Sequence, residues 1–426
     1  MILSRRQIRL IIPLGLAISL SLPGDQTLYA VLPTQAQAVG ISLGVVGLLL
    51  GVNRIIRIPG NPTAGLLYDR LGRRRLFLLG LLLGTLSTAS YVMARNSIEW
   101  LAGRLLWGIA WSLLNVGGLT MMLDVTDDHD RGRVLGLYQL SYLVGLAFSP
   151  MLGGLLTDAL GFRRALLVCA AITGTACIIT FFSLPETKPS PSAAGAKGQS
   201  LKDLAGTLKR GCRRILPPGG LSWPIRVRGV DMHGQLAVSY IYLMTFFAGN
   251  GVVMSTISLY LKQNFGDEIP IRNVAVGVAT LGGMLLGLRS LVGMIAGPVA
   301  GYLSDRWADR WPIVRGGVIL GAVGFGVLIV GRGIWTVPLG VVFIALSTGA
   351  LLTTLVALTG DLAASDRQGR AIGGLTTAGD LGSAAGPLLA FALLALVDLR
   401  WVYLLCGLGF VSSLLAVRYA ARRRQV

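Results

Sequence analysis

The sequence predicts an all-α polytopic membrane protein of about twelve transmembrane helices, arranged as two pseudo-symmetric six-helix bundles. Three observations carry that prediction. Of 426 residues, 53% are hydrophobic and 13% charged, where a soluble chain carries about 25% charged residues. Apolar runs of bilayer length, about 20 residues each, recur from one end of the chain to the other. The second half also repeats motifs of the first at a constant spacing.

The runs come in order. The first, 9–32, follows Arg5, Arg6 and Arg9 and contains Pro23-Gly24, where a helix is expected to break. SRRQIRLI imitates a twin-arginine export signal, but its arginines read better as the cytoplasmic flank of a span that stays in place. Runs at 41–68, 75–94, 98–123, 134–158 and 164–185 complete the first half; 235–262, 273–303, 313–332, 335–360, 370–394 and 400–420 make up the second. Each must be helical, because hydrocarbon offers backbone groups no other partner. Between the halves, 1–185 and 233–426, lies a linker at 186–232. It opens rich in Pro, Ser, Ala and Gly, then aligns Leu201, Leu204, Leu208 and Ile215 on one face of a basic segment. Such a segment suits an anionic membrane surface, with lipid as its partner; a solvated tether fits the same composition.

The net charge of +19 raises the question of nucleic acid. Its distribution answers it. Basic residues crowd every second loop (Arg70 and Arg73–Arg75, Arg131 and Arg133, Lys188–Arg228, Arg306–Arg315, Arg367 and Arg370), while alternate loops such as Pro33–Gly40 carry almost no charge. That is the pattern of a cytoplasmic-membrane protein with both termini in the cytoplasm. Nucleic acid is not expected as a partner. The four cysteines have neither metal nor disulfide spacing, and the two histidines, His129 and His233, fall in loops. No phosphate loop, nucleophile–base pair or zinc spacing occurs, so neither an enzyme nor a cofactor is expected.

The internal repeat is specific. Gly65 and Asp69-Arg70 return as Gly301 and Asp305-Arg306, 236 positions later. Asp124, Arg133 and Gly136 return as Asp361, Arg370 and Gly373, 237 positions later, and Gly145 and Pro150 as Gly382 and Pro387. These motifs resemble those of the major facilitator superfamily. GLLYDRLGRRR (Gly65, Asp69, Arg70, Arg73) is similar to its signature loop between helices two and three. LAGRLLWG, with Arg104, resembles its fourth-helix arginine motif. Gly136, Gly145, Pro150, Gly153 and Gly154 resemble the fifth-helix motif of its drug:proton antiporters, with Ser149 where that pattern has glycine. GDQTLYAVLP, with Asp25, resembles their first-helix motif.

The resemblance implies a monomeric secondary transporter working by alternating access, with a small organic substrate and protons as partners. Proton-coupled efflux of amphipathic compounds is the leading expectation; organic-anion uptake or exchange, or flipping of an anionic lipid, is the other. A transporter-like receptor that moves nothing is the competitor from another class. Asp69, Arg70 and Arg73, with Asp305 and Arg306, are expected to latch the halves, Gly65 letting a neighbouring helix approach. Gly136, Gly145, Pro150, Gly153 and Gly154, and their counterparts Gly382, Gly386 and Pro387, are expected to bend or pack spans 5 and 11.

NRIIRIPGN, 53–61, places two arginines inside span 2. Arg57 is twelve residues from Asp69, about 18 Å along a helix, near the middle of a hydrocarbon layer about 30 Å thick. On a helical wheel Asn53, Arg57, Asn61 and Arg54 fall within about 100°, a face that lipid cannot meet. A mid-bilayer arginine costs about 2.5–3.5 kcal/mol. Either Arg57 pairs with Asp380 of span 11, which faces span 2 in this family, or Arg54 and Arg57 hold an anionic group of the substrate. The family geometry adds Arg104, Trp111, Asn115, Asn250 and Arg289 as cavity residues, Arg289 standing at the repeat position of Asn53. Asp25 is the leading proton-carrier candidate with Asp380 beside it, and a standing Asp25–Arg104 or Asp25–Arg54 salt bridge is the alternative.

Overall fold

A computed structural model of the chain describes residues 4–126, 130–187, 232–271, 274–307, 309–363 and 368–423. The amphipathic segment of the linker, His129 and Arg367 lie outside them. Among the described residues eleven helices are long and apolar enough to cross a membrane, and Gln368–Leu393 supplies the span-11 helix. The fold is the all-α two-bundle architecture that the sequence predicts.

Local chemistry explains the ends. Span 1 starts with a capping box in which Ser4 and Gln7 satisfy each other's backbone N–H. It is split into Arg5–Ser21 and Pro23–Gln35, because Pro23 has no N–H to continue the ladder and serves instead as the first residue of a new helix. Span 2 is Leu43–Leu71, span 3 Arg73–Met93, span 4 Ser97–Leu123, span 5 Arg131–Leu160 and span 6 Phe162–Ser183. Span 7 runs from Met232 to Phe265 and is π-helical over Phe246–Val253, the stretch that carries Asn250. Spans 9, 10 and 12 are Trp311–Val330, Thr336–Leu362 and Leu399–Arg423.

One expected boundary is wrong. Span 8 does not start at 273 but at Val278, running to Arg306. The residues before it form an antiparallel hairpin, Glu268–Ile271 with Val274–Gly277, Ile269 facing Val276. VAVG is apolar enough to pass for helix, but Pro270 and the β-branched alternation favour paired strands.

The halves meet along two antiparallel helix pairs, span 2 with span 11 and span 5 with span 8. Both contacts are tightest toward the end that carries the hairpin. A Cβ on Gly51 would stand 2.9 Å from the Ala384 carbonyl oxygen, and one on Gly154 2.1 Å from that of Ala279. Pro150 leaves the Leu146 carbonyl without its helical donor, and Ser290 Oγ of span 8 donates to it across the seam at 3.5 Å. Two further bonds cross at the hairpin end: Lys262 Nζ donates to the Thr34 carbonyl (3.2 Å), and Thr280 N–H donates to the Asp158 carboxylate (2.7 Å).

At the opposite end, which carries the basic loops, the halves are splayed. Gly65, Gly136 and Gly373 have nothing within 4 Å of where a Cβ would stand. The close helix approach expected at Gly65 and the packing expected at Gly136 are therefore absent in this conformation. Gly145, Gly153, Gly382 and Gly386, by contrast, have a neighbour under 3 Å from that point.

Candidate substrate cavity and its charges

The break in span 1 places Asp25 in the first turn of the second segment, at 5% exposure. Its carboxylate accepts from Arg104 Nη1 at 2.7 Å, Gln26 Nε2 at 3.1 Å and Asn53 Nδ2 at 3.4 Å. Arg104 is fully buried; its Nε donates to the Leu49 carbonyl at 3.0 Å, and the guanidinium lies 5.4 Å from the Tyr29 ring. Of the two expected arrangements, the Asp25–Arg104 salt bridge is the one present.

The arginines of span 2 part company. Arg57 turns toward span 4: Nη2 donates to Asn53 Oδ1 at 3.2 Å, and the guanidinium lies 5.1 Å from the Trp111 ring, itself 5.6 Å from that of Tyr142. Arg54 turns the other way, with Nε donating to the Tyr29 hydroxyl at 3.4 Å, and borders a cavity of about 430 Å³ between the halves. Gln26, Tyr142, Leu146 and Pro150 line it from the first half; Phe246, Asn250, Met254, Leu286, Arg289, Met294 and Thr348 line it from the second. The π-helical stretch of span 7 brings Asn250 onto Arg289, whose Nη2 donates to the amide oxygen. Arg289 is 8% exposed, and its Nε has no hydrogen-bond partner among the described residues.

Three expectations need correction. The Arg57–Asp380 ion pair is not formed: Asn53 and Trp111 hold Arg57 against its own half. Asp380 is half-buried and makes no ion pair among the described residues, although Arg54 and Arg57 stand close enough for their charge to act on it. The polar face of NRIIRIPGN does not meet one surface, and of the expected cavity residues Asn53, Arg57, Asn61, Arg104, Trp111 and Asn115 are not among those that line the cavity, whereas Arg54, Asn250 and Arg289 are.

The expected latch has different members. Arg73, 6% exposed, pairs with Asp124 at 3.0 Å and Asp69 at 3.5 Å, while Arg70 is exposed. In the second half Arg310, not Arg306, pairs with Asp305 and Asp361, each at 2.6 Å. Those two hydrogen-bonded carboxylates raise the Arg310 pKa above its ordinary value. Each cluster closes within its own half. The repeat held the signal that finds the missing members: Arg310 is Arg73 moved by 237 positions, as Asp361 is Asp124. Tyr29, Tyr142 and Phe246 were not identified from the sequence, since an aromatic residue in an apolar span carries no mark of the face it occupies.

Comparisons with known proteins agree with this architecture. The Major Facilitator Superfamily model matches residues 14–266 and 239–425. The class E tetracycline resistance protein of Escherichia coli is 27% identical over 388 residues, covering 88% of this chain and 85% of that protein. Multidrug resistance protein 2 of Bacillus subtilis is 22% identical over 397 residues, with 92% and 90% covered. Among solved structures, a bacterial homologue of the human lysosomal transporter Spinster, inward-facing and occupied, superposes with a TM-score of 0.74 at 15% identity, covering 97% of this chain and 96% of that one.

Proposed function

The chain belongs to the major facilitator superfamily, and from that premise we propose that it exports amphipathic organic compounds across the cytoplasmic membrane in exchange for protons, by alternating access. The observation that carries the proposal is the cavity: polar and apolar side chains of both halves surround it, with the seam packed at the hairpin end and splayed at the basic end. The positive-inside pattern makes the basic end cytoplasmic, so this is the conformation that loads from the cytoplasm. Efflux, rather than uptake, is favoured by the tetracycline and multidrug resistance relatives.

Coupling needs an acid that gains and loses a proton as the halves move. Asp25 is held by Arg104 in this conformation, whereas Asp380 borders the seam without an ion pair among the described residues. Asp380 is therefore the first candidate for the exchanged proton, and Asp25 the second. The test is flux of a fluorescent amphiphile in proteoliposomes under an imposed pH gradient. Gradient-driven flux in the parent chain, reduced about tenfold or more in Asp380→Asn, is the expected result. Absence of gradient-driven flux for every compound tried would remove the proposal; full coupling in Asp380→Asn would move the proton to Asp25.

A further inference from the structure

The cavity lining contains two charged residues, and both are arginines: Arg54 from the first half and Arg289 from the second. Their place in the lining sets them apart from the other arginines deep in the spans. Arg104 has Asp25, and Arg57 is enclosed by Asn53 and Trp111 away from the cavity. Among the described residues Arg54 has a phenol hydroxyl as its side-chain hydrogen-bond partner and the face of the same ring 5.8 Å away. Among the described residues Arg289 has only the amide oxygen of Asn250, and its Nε is unpartnered although the side chain is more than nine-tenths buried.

Two like charges facing one low-dielectric space repel, and neither has a carboxylate within hydrogen-bond distance among the described residues. Asp380 does not resolve this, since it bonds neither. A guanidinium is also the group best shaped to grip a carboxylate through two parallel hydrogen bonds. The same lining includes Phe246, Met254, Leu286 and Met294, apolar surface that suits the body of an amphipathic compound.

We infer that Arg54 and Arg289 form an anion clamp across the two halves, and that the compounds handled are organic anions with an acidic head and an apolar body. This rests on the transport reading above and narrows it. Asn250 holds the C-terminal side of the clamp in place by accepting from Arg289. Because its jaws belong to different halves, the clamp is complete only when they are close.

The test uses probes that share one body. Purified full-length protein in a neutral detergent is titrated with 4-biphenylcarboxylate, 4-biphenylcarboxamide, 4-biphenylmethylammonium and acetate, and the unfolding midpoint is followed. The carboxylate is expected to raise the midpoint saturably, while the amide, the ammonium and acetate leave it unmoved over the same range. Arg289→Gln and Arg54→Gln are each expected to raise the half-saturating concentration about tenfold or more, and Arg289→Lys, which keeps the charge, by about threefold. Each variant is referred to its own ligand-free midpoint, and the Lys variant and Arg54→Gln keep the test open if Arg289→Gln does not fold. No carboxylate shift, an equal shift from the ammonium or amide, or unchanged carboxylate affinity in the Gln variants would overturn the clamp. Gradient-driven flux of a cationic amphiphile without carboxylate binding would remove the clamp and leave export standing; carboxylate binding without any flux would do the reverse.

Discussion

At the scale of single residues, Asp25–Arg104 is an ion pair set inside the first half. Both partners are buried, so the pair is held by its geometry and its added hydrogen bonds rather than by the Coulomb term alone. Removing one partner leaves a buried charge bare. Arg104→Gln is therefore expected to cost about 3–5 kcal/mol, seen as a lowered unfolding midpoint, and adding Asp25→Asn should recover a large part of it. If the double variant is no more stable than the single one, the pair is not what Arg104 contributes. The pairing was readable from sequence as one of two arrangements, since an acid in span 1 and an arginine in span 4 each need a partner in lipid. Which way Arg54 and Arg57 turn was not readable. They are three residues apart on one stripe, and the split depends on Trp111 and Tyr29 filling opposite sides of it.

At the scale of elements, apolar run length located the spans, and the failures sit where two structures share one composition. VAVG served equally as helix start or strand. With VAVG in the hairpin, span 8 begins at Gly277–Val278 with no side chain of its own to cap it. The cap comes from the other half: Asp158, at the end of span 5, accepts from Thr280 N–H. Lys262 makes the complementary contact, its ammonium on a last-turn carbonyl of span 1 at Thr34. A carboxylate at a helix N-terminus and an ammonium at a C-terminus both complement the helix dipole. Among the described residues the hairpin end is thus fastened by helix ends rather than by ion pairs between side chains of the two halves. Loss of such a cap is worth about 1 kcal/mol, roughly a fivefold shift between two states. Asp158→Ala is therefore expected to raise labelling of a cysteine at position 290 by an impermeant maleimide added from the hairpin side, by about that factor. Labelling no faster than in the parent would mean that Asp158 does not hold that end shut.

At the scale of the whole molecule, the two-half design was legible because gene-level repetition leaves fixed offsets, and the same offsets account for the matched Arg73 and Arg310 clusters. The conformation was not legible, since one sequence must serve every state of the cycle. The register between spans 2 and 11 makes the other state accessible to argument. Gly47 lies against Phe391 and Gly51 against Leu388. Carried antiparallel to the basic end, that register sets Gly65 opposite Gly373 and Gly374, the open glycines that have no neighbour in this conformation. They are small where the helices must meet when that end closes. In a chain freed of Cys169, Cys177, Cys212 and Cys406, Gly47→Cys with Phe391→Cys should form a disulfide in the present conformation. A Cβ built at Gly47 lies 2.8 Å from that of Phe391, so a shift of about 1 Å reaches disulfide geometry, and the bond should abolish flux by preventing the hairpin end from opening. Gly65→Cys with Gly373→Cys should stay reduced in this conformation and oxidise only when the hairpin end opens, as in the Asp158→Ala background. Equal cross-linking of both pairs in one population, with flux intact, would mean that the halves do not rock about this seam.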